Sequence, residues 1–342
     1  MTEASPPGVE LRRLRAFLDR ALPRPTVGPL TAELIAGGRS NLTYVVTDGV
    51  SEWVLRRPPL GHVLATAHDM AREYRVMTAL ADTRVPVPAT YLLAEQAEGA
   101  DAPGAPFYLM EKVTGTVYRT AEQTADLGAA WAVAISHDLI DVLAALHRLD
   151  PVRVGLGDFG RPDGFLDRQV RRWQKQLAAS RSRDIAGIDE LSATLANSIP
   201  ATQRPAIVHG DYKLDNVIIS ADSVAAVVDW EMATLGDPLC DVGLFNVYWD
   251  RSVEVVSAVS PISAAAGFPP AAELLDRYAA ASGLDLSPLP WYEALGCFKL
   301  AVISEGIHYR YLQGKTVGDG FEVIGDMVAP LVAGGLARLA ER

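Results

Sequence analysis

The feature that most constrains this chain is an octet of mostly polar residues, 209–216, enclosed by short apolar runs. The octet reads His-Gly-Asp-Tyr-Lys-Leu-Asp-Asn, with apolar residues at 207–208 before it and at 217–219 after it. Short β-branched runs are typical of strands, so the pattern predicts a polar loop held by a strand at each end. A further apolar run, 224–228, then leads to Asp229.

The residue types of this segment suit phosphoryl transfer to a hydroxyl. Such a reaction needs a base for the hydroxyl proton, a cation beside the transferred group and oxygen ligands for Mg²⁺. Asp211 is the candidate base and Lys213 the candidate cation. Asn216 and Asp229 are the candidate magnesium ligands. His209 completes the catalytic set, and we expect it to order the loop by hydrogen bonds rather than touch substrate.

The length and the net charge of the chain limit the classes of partner that it could bind. The chain has 342 residues, enough for two lobes with separate cores, and a net charge of −11 with 31 Lys and Arg. Because the basic residues are scattered, the sequence lacks the footprint expected of a nucleic-acid-binding protein. An acidic balance suits a cationic substrate, and it also suits solubility alone.

The apolar segments do not form a membrane-spanning pattern. The most apolar helical stretch, 127–146, is interrupted by polar residues that include Asp138 and Asp141. Cys240 and Cys297 lie in apolar surroundings without metal-like spacing, and the N-terminal stretch is polar rather than a secretory signal. We therefore expect a cytoplasmic protein with no membrane contact.

The N-terminal region has the pattern of a small sheet, in which short predicted strands alternate with turns and one turn is a glycine-containing loop. Strands are predicted at 34–36 and 42–47, and the loop between them contains Gly38, Ser40 and Asn41. Because glycine lacks a Cβ, the backbone amides of this loop could approach the phosphates of a nucleotide. An ordinary hairpin turn would use the same residues, and that alternative stays open.

Two charged residues and a linker complete the candidate nucleotide site. Arg56 ends the third predicted strand, from which it could reach nucleotide phosphates, and Glu73 on the following predicted helix could pair with it. The alternatives are an exposed strand-end arginine and a solvated glutamate. Glu111 and Val113 open a predicted linker between lobes, whose backbone groups could pair with an adenine edge.

Beyond the linker the pattern becomes mainly helical. The longest predicted helix, about 127–147, is apolar on most faces, and His147 at its end is expected to be packed rather than catalytic. A helix predicted at 165–179 carries basic residues outward, which indicates a solvated face or a bound anion. Asp241 is placed to bond the backbone of the octet.

The chain resembles the aminoglycoside phosphotransferase (APH) family, which has the protein-kinase-like fold. The family's H-G-D-x-x-x-x-N loop matches His209, Gly210, Asp211 and Asn216, and its later magnesium aspartate matches Asp229. The resemblance implies an α+β fold with two lobes: a small antiparallel-sheet lobe over 1–112 and a larger, mainly helical lobe over 113–342. It also implies ATP and Mg²⁺ as cofactors and a small-molecule hydroxyl as acceptor.

Within the family the chain is similar to phosphotransferase domains fused to some acyl-CoA dehydrogenases. Segments 54–59, 235–238 and 305–314 carry this similarity. It implies a hydroxyacyl-CoA-like acceptor, with an aminoglycoside or another small metabolite as the alternative. The region after Asp241 lacks the dense acidic cluster that suits polyamines. Arg56 stands where protein kinases carry lysine, and it keeps the positive charge.

A second class of function also has support. Arg56 in place of lysine is compatible with a nucleotide-binding pseudokinase that acts as a regulatory module, although the retained base and magnesium ligands favour an enzyme. A protein kinase is not supported, because 229–241 leaves no room for an extended activation segment. The sequence does not indicate whether the nucleotide is ATP or GTP, and it does not indicate the oligomeric state.

Overall fold

The computed structural model divides into two compact units. It describes residues 6–35, 41–60, 69–95, 105–249, 262–316 and 320–341. The first unit comprises Met1–Gly115 together with Ala225–Glu231, and the second comprises Thr116–Val224 together with Met232–Arg342. The predicted α+β class is confirmed, with a sheet in the first unit and helices dominating the second.

A five-stranded antiparallel sheet forms the frame of the first unit. Its strands are β1 (Thr31–Leu34), β2 (Leu42–Thr47), β3 (Glu52–Arg57), β4 (Thr90–Ala94) and β5 (Phe107–Glu111). They lie in the order β1-β2-β3-β5-β4. The turn from β2 to β3 is closed by Asp48, whose Oδ1 accepts from the amides of Val50 (2.9 Å) and Ser51 (2.7 Å). This turn fixes the register that places Arg56 on β3.

Two helices accompany the sheet. Helix α1 (Leu11–Ala21) packs Leu14 and Leu18 into the same core as sheet residues. Helix α2 (Met70–Leu80) begins at Asp69, whose side chain accepts from the amide of Arg72 at 3.0 Å. Its buried face carries a charged residue, Glu73, among apolar neighbours.

The chain returns to the first unit at Ala225–Glu231. The Val227 amide donates to the Pro86 carbonyl (2.8 Å), and the buried Trp230 indole donates to the Val227 carbonyl (3.0 Å). Between these anchors Asp229 adopts a left-handed φ of 66°. Non-glycine residues rarely hold this conformation without support, so the anchors define where the Asp229 side chain lies.

The second unit consists mainly of helices with short strands between them. The helices are α3 (Ala121–Thr124), α4 (Ala129–Arg148), α5 (Phe165–Ser180), α6 (Ile188–Asn197), α7 (Leu239–Trp249), α8 (Ala271–Ser282), α9 (Leu289–Leu312) and α10 (Val328–Ala340). The strands are β6 (Ala206–Val208), β7 (Val217–Ser220), β8 (Ser223–Val227) and β9 (Thr234–Gly236). Strands β6 and β9 pair antiparallel, while β8 leads back into the first unit.

Helix α9 is the centre of the second unit. It packs against α5, α6, α7 and α10, and its Trp291 and Phe298 are fully buried. Helix α7 approaches α9 closely at Gly243, where a Cβ would lie 2.6 Å from the backbone carbon of Tyr292. Small residues allow such close contact between helices, so this glycine sets the distance between α7 and α9.

Among the described residues, α4 alone is long and apolar enough to cross a membrane by length and composition. Half of its apolar window is buried inside the protein, as expected of a core helix. Its residue His147 is buried.

We predict that Gly243→Ala destabilises the protein by about 1 to 3 kcal/mol, because the added methyl group forces α7 and α9 apart. Chemical denaturation would measure the change. Gly296→Ala on α9 is the matched control, since a Cβ there meets its nearest atoms at an ordinary 3.4 Å. Equal stability of the two variants would contradict the assigned role of Gly243.

Candidate active site

In the first unit, Arg56 lies among three carboxylates. Its side chain is 13% exposed, and its Nη2 contacts Asp229 Oδ1 directly and lies 3.9 Å from Glu231 Oε2. Its Nε lies 2.9 Å from Glu73 Oε2, close enough for an ion pair but out of line for a hydrogen bond. The structure therefore brings Arg56, Glu73 and Asp229 together, and it adds Glu231.

Glu73 is held by neutral donors as well as by Arg56. Its Oε1 accepts from Asn41 Nδ2 (3.0 Å), and its Oε2 accepts from the Tyr108 hydroxyl (2.9 Å). Asn41 Nδ2 also donates to Glu231 Oε2 at 3.2 Å. Burial raises the pKa of Glu73 to about 7, against the opposing effect of the Arg56 cation. Asn41 thus links two carboxylates through its side chain.

Arg56 stays positively charged although it is largely buried. Burial acts to lower the pKa of Arg56, but Tyr108 and the three carboxylates outweigh that effect and raise the pKa above its ordinary value. One arginine therefore faces the carboxylates of Glu73, Asp229 and Glu231. A carboxylate excess of this kind suits a divalent cation, which prefers oxygen ligands.

No group of three or more His, Cys, Asp or Glu within the described ranges is arranged to hold a metal ion by itself. This does not conflict with magnesium chemistry, because Mg²⁺ commonly takes one or two protein carboxylates and completes its shell with phosphate and water. Asp229, 30% exposed, supplies a hard oxygen of the right kind.

In the second unit, the Asp241 side chain binds the backbone of the octet. Its Oδ2 accepts from the His209 amide (2.6 Å), and its Oδ1 accepts from the Gly210 amide (2.8 Å). Gly210 has a φ of 85°, and a Cβ there would lie 2.8 Å from Met232 Cβ. Only glycine fits this left-handed, crowded position, so the octet can turn where Asp241 binds it.

A buried network supports Asp241. His147 Nε2 lies 3.2 Å from Asp241 Oδ2, and its Nδ1 lies 2.7 Å from the Tyr278 hydroxyl. Burial would raise the pKa of Asp241, but hydrogen bonds and charge interactions with His147 and His209 outweigh the effect of burial, so the pKa is lowered. The His209 ring acts within the octet, where its Nδ1 accepts from the Asp211 amide at 3.2 Å. The His209 ring therefore contacts the backbone of its own loop, and its role in ordering that loop stays a prediction.

The Asp211 carboxylate is held on both oxygens. Its Oδ2 accepts from Asn216 Nδ2 (3.0 Å) and lies 3.2 Å from Lys213 Nζ. Its Oδ1 accepts from the Tyr248 hydroxyl at 3.1 Å. Asn216 Nδ2 also donates to the Asp211 carbonyl (2.8 Å), so both amide protons are engaged and Oδ1 is the side-chain atom that could bind a cation. That arrangement fits the predicted magnesium role of Asn216.

A buried lysine from α9 also acts on this loop. Lys299 Nζ donates to the Gly210 carbonyl (2.6 Å) and lies 5.8 Å from the centroid of the Trp173 ring. Burial would raise the pKa of Asp211, but the charges of Lys213 and Lys299 outweigh it and lower that pKa. Asp211 is therefore an ionised carboxylate at neutral pH, the state that a general base requires.

The remaining residues of the candidate nucleotide site, Gly38, Ser40, Glu111 and Val113, stay predictions. Gly38 and Ser40 lie outside the described residues. Glu111 is the last residue of β5, and its amide donates to the Ala89 carbonyl at 2.8 Å, so that amide is used within the sheet. Val113 is half-buried in the segment that follows.

Four residues of these clusters escape sequence reasoning: Tyr108, Glu231, Tyr248 and Lys299. Glu231 carried a signal, because it lies two residues after Asp229 in the segment that replaces the D-F-G of protein kinases. A lysine within the apolar stretch 294–303 of α9 also signals a special environment, which is how Lys299 could have been found. Nothing in the local pattern marks Tyr108 or Tyr248.

The fold and the octet define a phosphotransferase of the protein-kinase-like class. The chain matches the phosphotransferase enzyme family (APH) over residues 31–295, and it belongs to that family. It is accordingly an enzyme that transfers a phosphoryl group to a hydroxyl of a small molecule.

Solved structures agree with this membership. A provisionally assigned aminoglycoside phosphotransferase from Ralstonia eutropha JMP134 is 31% identical, with a TM-score of 0.84 over 97% of this chain and 99% of that one. The aminoglycoside phosphotransferase APH(4)-Ia, in complex with AMP-PNP and hygromycin B, is 16% identical, with a TM-score of 0.61 over 96% of this chain and 97% of that one. At that identity the second likeness shows the fold alone.

Sequence relatives include much longer proteins. Acyl-CoA dehydrogenase family member 11 of Rattus norvegicus is 34% identical over 337 residues, which are 96% of this chain and 43% of that protein. Acyl-CoA dehydrogenase family member 10 of Mus musculus is 32% identical over 308 residues, 88% of this chain and 28% of that protein. The chain thus spans less than half the length of these relatives.

We predict that Asp241→Asn destabilises the protein by about 3 kcal/mol, because one amide oxygen cannot replace two carboxylate oxygens in a buried network. Chemical denaturation would measure this loss, and hydrogen exchange would show faster exchange at the His209 and Gly210 amides. Asp141→Asn, which removes a half-exposed pair with Arg277, is the control and should cost less than about 1 kcal/mol. Unchanged exchange at the two amides would exclude the role given to Asp241.

Proposed function

We propose that this enzyme transfers the γ-phosphoryl group of ATP, with Mg²⁺, to the hydroxyl of a hydroxyacyl-CoA. The observation that carries the proposal is the Asp211 carboxylate, held by Asn216 and Lys213 on one oxygen and kept ionised by nearby cations. We place the reaction in the cytoplasm, since a reducing compartment agrees with Cys240 and Cys297 being free thiols.

Asp211 acts as the general base. It accepts the proton of the acceptor hydroxyl as the oxygen attacks the γ-phosphorus and the bond to ADP breaks. A lowered pKa makes Asp211 a weak base, which suits a loose transition state in which the proton leaves late. Its role is then mainly to orient the hydroxyl, which a carboxylate fixed through Oδ2 by Asn216 and Lys213 does well.

Lys213 offsets the charge of the transferred group. Its Nζ lies 3.2 Å from Asp211 Oδ2, and its side chain is 21% exposed, so the ammonium can bind a phosphoryl oxygen while it stays near the base. Asn216, through Oδ1, and Asp229 would hold Mg²⁺, which when bound neutralises phosphate charge. Arg56 would bind the remaining phosphate oxygens with its fork of donors.

The acceptor class rests on two lines of support. The relatives are named as acyl-CoA dehydrogenase family members, which suggests an acyl thioester as the substrate of a shared pathway. In addition, Lys213 and Lys299 act electrostatically on Asp211, and Arg172 acts on Lys299. Cations at the base favour an anionic acceptor such as a CoA ester and disfavour a polycationic aminoglycoside.

A panel of acceptors would test the proposal. The purified chain is incubated with Mg²⁺-ATP and hydroxyacyl-CoA esters, free hydroxy acids or aminoglycosides, and mass spectrometry records a gain of one phosphate. We expect the gain on hydroxyacyl-CoA esters, dependent on Mg²⁺. Phosphorylation confined to aminoglycosides would overturn the acceptor class. Nucleotide binding without transfer to any acceptor would instead favour a pseudokinase module.

We predict that Asp211→Asn lowers phosphoryl transfer by about 10² to 10⁴-fold, the usual contribution of a positioned general base. The asparagine is isosteric, so the variant should fold and keep its thermal stabilisation by Mg²⁺-ATP. Initial rates of ADP release with a hydroxyacyl-CoA would measure the loss. Turnover equal to that of the unsubstituted enzyme would rule out Asp211 as the base.

We predict that Arg56→Lys raises the dissociation constant of Mg²⁺-ATP by about tenfold, since an ammonium cannot hold phosphate oxygens with two parallel donors. The substitution keeps a cation beside Glu73 and Asp229, which limits the cost in stability. Calorimetry with a non-hydrolysable ATP analogue gives the constant. Arg57→Lys, one residue along β3, is the control that should leave it unchanged.

A further inference from the structure

Tyr248 is a residue that the proposed reaction does not yet use. It lies near the end of α7, and its half-buried side chain contacts two members of the catalytic octet. Its hydroxyl donates to Asp211 Oδ1 at 3.1 Å, and Lys213 Nζ lies 4.9 Å from the centroid of its ring. Tyr248 therefore touches both the base and the cation assigned to the transfer.

The bond to Asp211 occupies the oxygen that an acceptor needs. Asp211 Oδ2 is already engaged by Asn216 Nδ2 and Lys213 Nζ, so Oδ1 is the oxygen that is left to receive the acceptor's hydroxyl. In this structure Oδ1 receives the hydroxyl of Tyr248 instead. Burial, followed by the Asp211 charge, raises the pKa of Tyr248, so the hydroxyl keeps its proton and stays a donor.

A phosphotransferase has to keep water away from its base. Water is a small and abundant nucleophile, and when it replaces the acceptor it loses a proton to the base while phosphate and ADP are formed. A side-chain hydroxyl already bonded to the base opposes this, because water would have to displace it. A specific acceptor brings binding energy from the rest of its structure and can displace the same hydroxyl.

We propose that Tyr248 is a specificity-determining residue, whose hydroxyl occupies Asp211 Oδ1 until an acceptor hydroxyl replaces it and so suppresses hydrolysis of ATP by water. This inference rests on the proposed function, since it assigns Asp211 as the base. It differs from a purely positioning role for Tyr248. Positioning alone requires that loss of the hydroxyl slow every reaction at Asp211, including attack by water.

The two roles give opposite results in Tyr248→Phe, which removes the hydroxyl and keeps the ring beside Lys213. With Mg²⁺-ATP and no acceptor, we expect ADP release to rise by about tenfold, the size associated with one hydrogen bond to a charged group. Tyr248→Leu, which also removes the ring, should change ADP release in the same direction. Thermal melting establishes that each variant is folded.

Two controls limit the interpretation. Tyr292→Phe removes another hydrogen bond from tyrosine to aspartate, the 2.9 Å bond to Asp237 Oδ2, and should leave ADP release unchanged. The double variant Asp211→Asn/Tyr248→Phe should lose the increase, because activation of water needs the Asp211 carboxylate. An increase that persists in the double variant would overturn the inference.

The outcomes also separate this inference from the proposed function. If the unsubstituted enzyme phosphorylates an acceptor but Tyr248→Phe releases ADP at an equal or lower rate, Tyr248 does not exclude water and only this inference fails. If the unsubstituted enzyme phosphorylates no acceptor and releases no ADP, the proposed function fails with it. A rise in acceptor-free ADP release together with retained transfer supports both.

Discussion

The catalytic octet depends on one buried carboxylate. The two oxygens of Asp241 accept hydrogen bonds from the backbone amides of His209 and Gly210. This is possible only because Gly210 adopts a left-handed conformation. An uncompensated buried carboxylate would be costly, so His147 completes its bonding from α4. The direction of the Asp211 side chain follows from this arrangement, because the backbone on its N-terminal side is already fixed.

The charges of the two units are organised in opposite senses. In the first unit three carboxylates surround one cation, Arg56, which leaves an excess of negative charge suited to a divalent metal ion. In the second unit two lysines, Lys213 and Lys299, act on one carboxylate, that of Asp211. Each cluster keeps its central group ionised despite burial, since the neighbouring opposite charges outweigh the loss of solvation.

Local patterns predicted much of the fold. The strand predicted at 42–47 has the bounds of β2, because Asp48 and Gly49 turn the chain directly after it. The helix predicted at 165–179 extends over Phe165–Ser180. The helix predicted at about 127–147 is shifted by one or two residues, to Ala129–Arg148, which is the usual uncertainty at helix ends. Patterning could not reveal the return of Ala225–Glu231 to the first unit, since that depends on contacts with Pro86, far away in sequence.

The sequence by itself determined the candidate base, cation and amide of the octet, because they stand within a few residues and a loop held at both ends brings them together. Only the tertiary structure decided what surrounds them. Lys299 and Tyr248 reach Asp211 from helices distant in sequence, through contacts that no local period encodes. Their effect on a base requires burial, where charges and hydrogen bonds act strongly, and burial is a property of the packed chain.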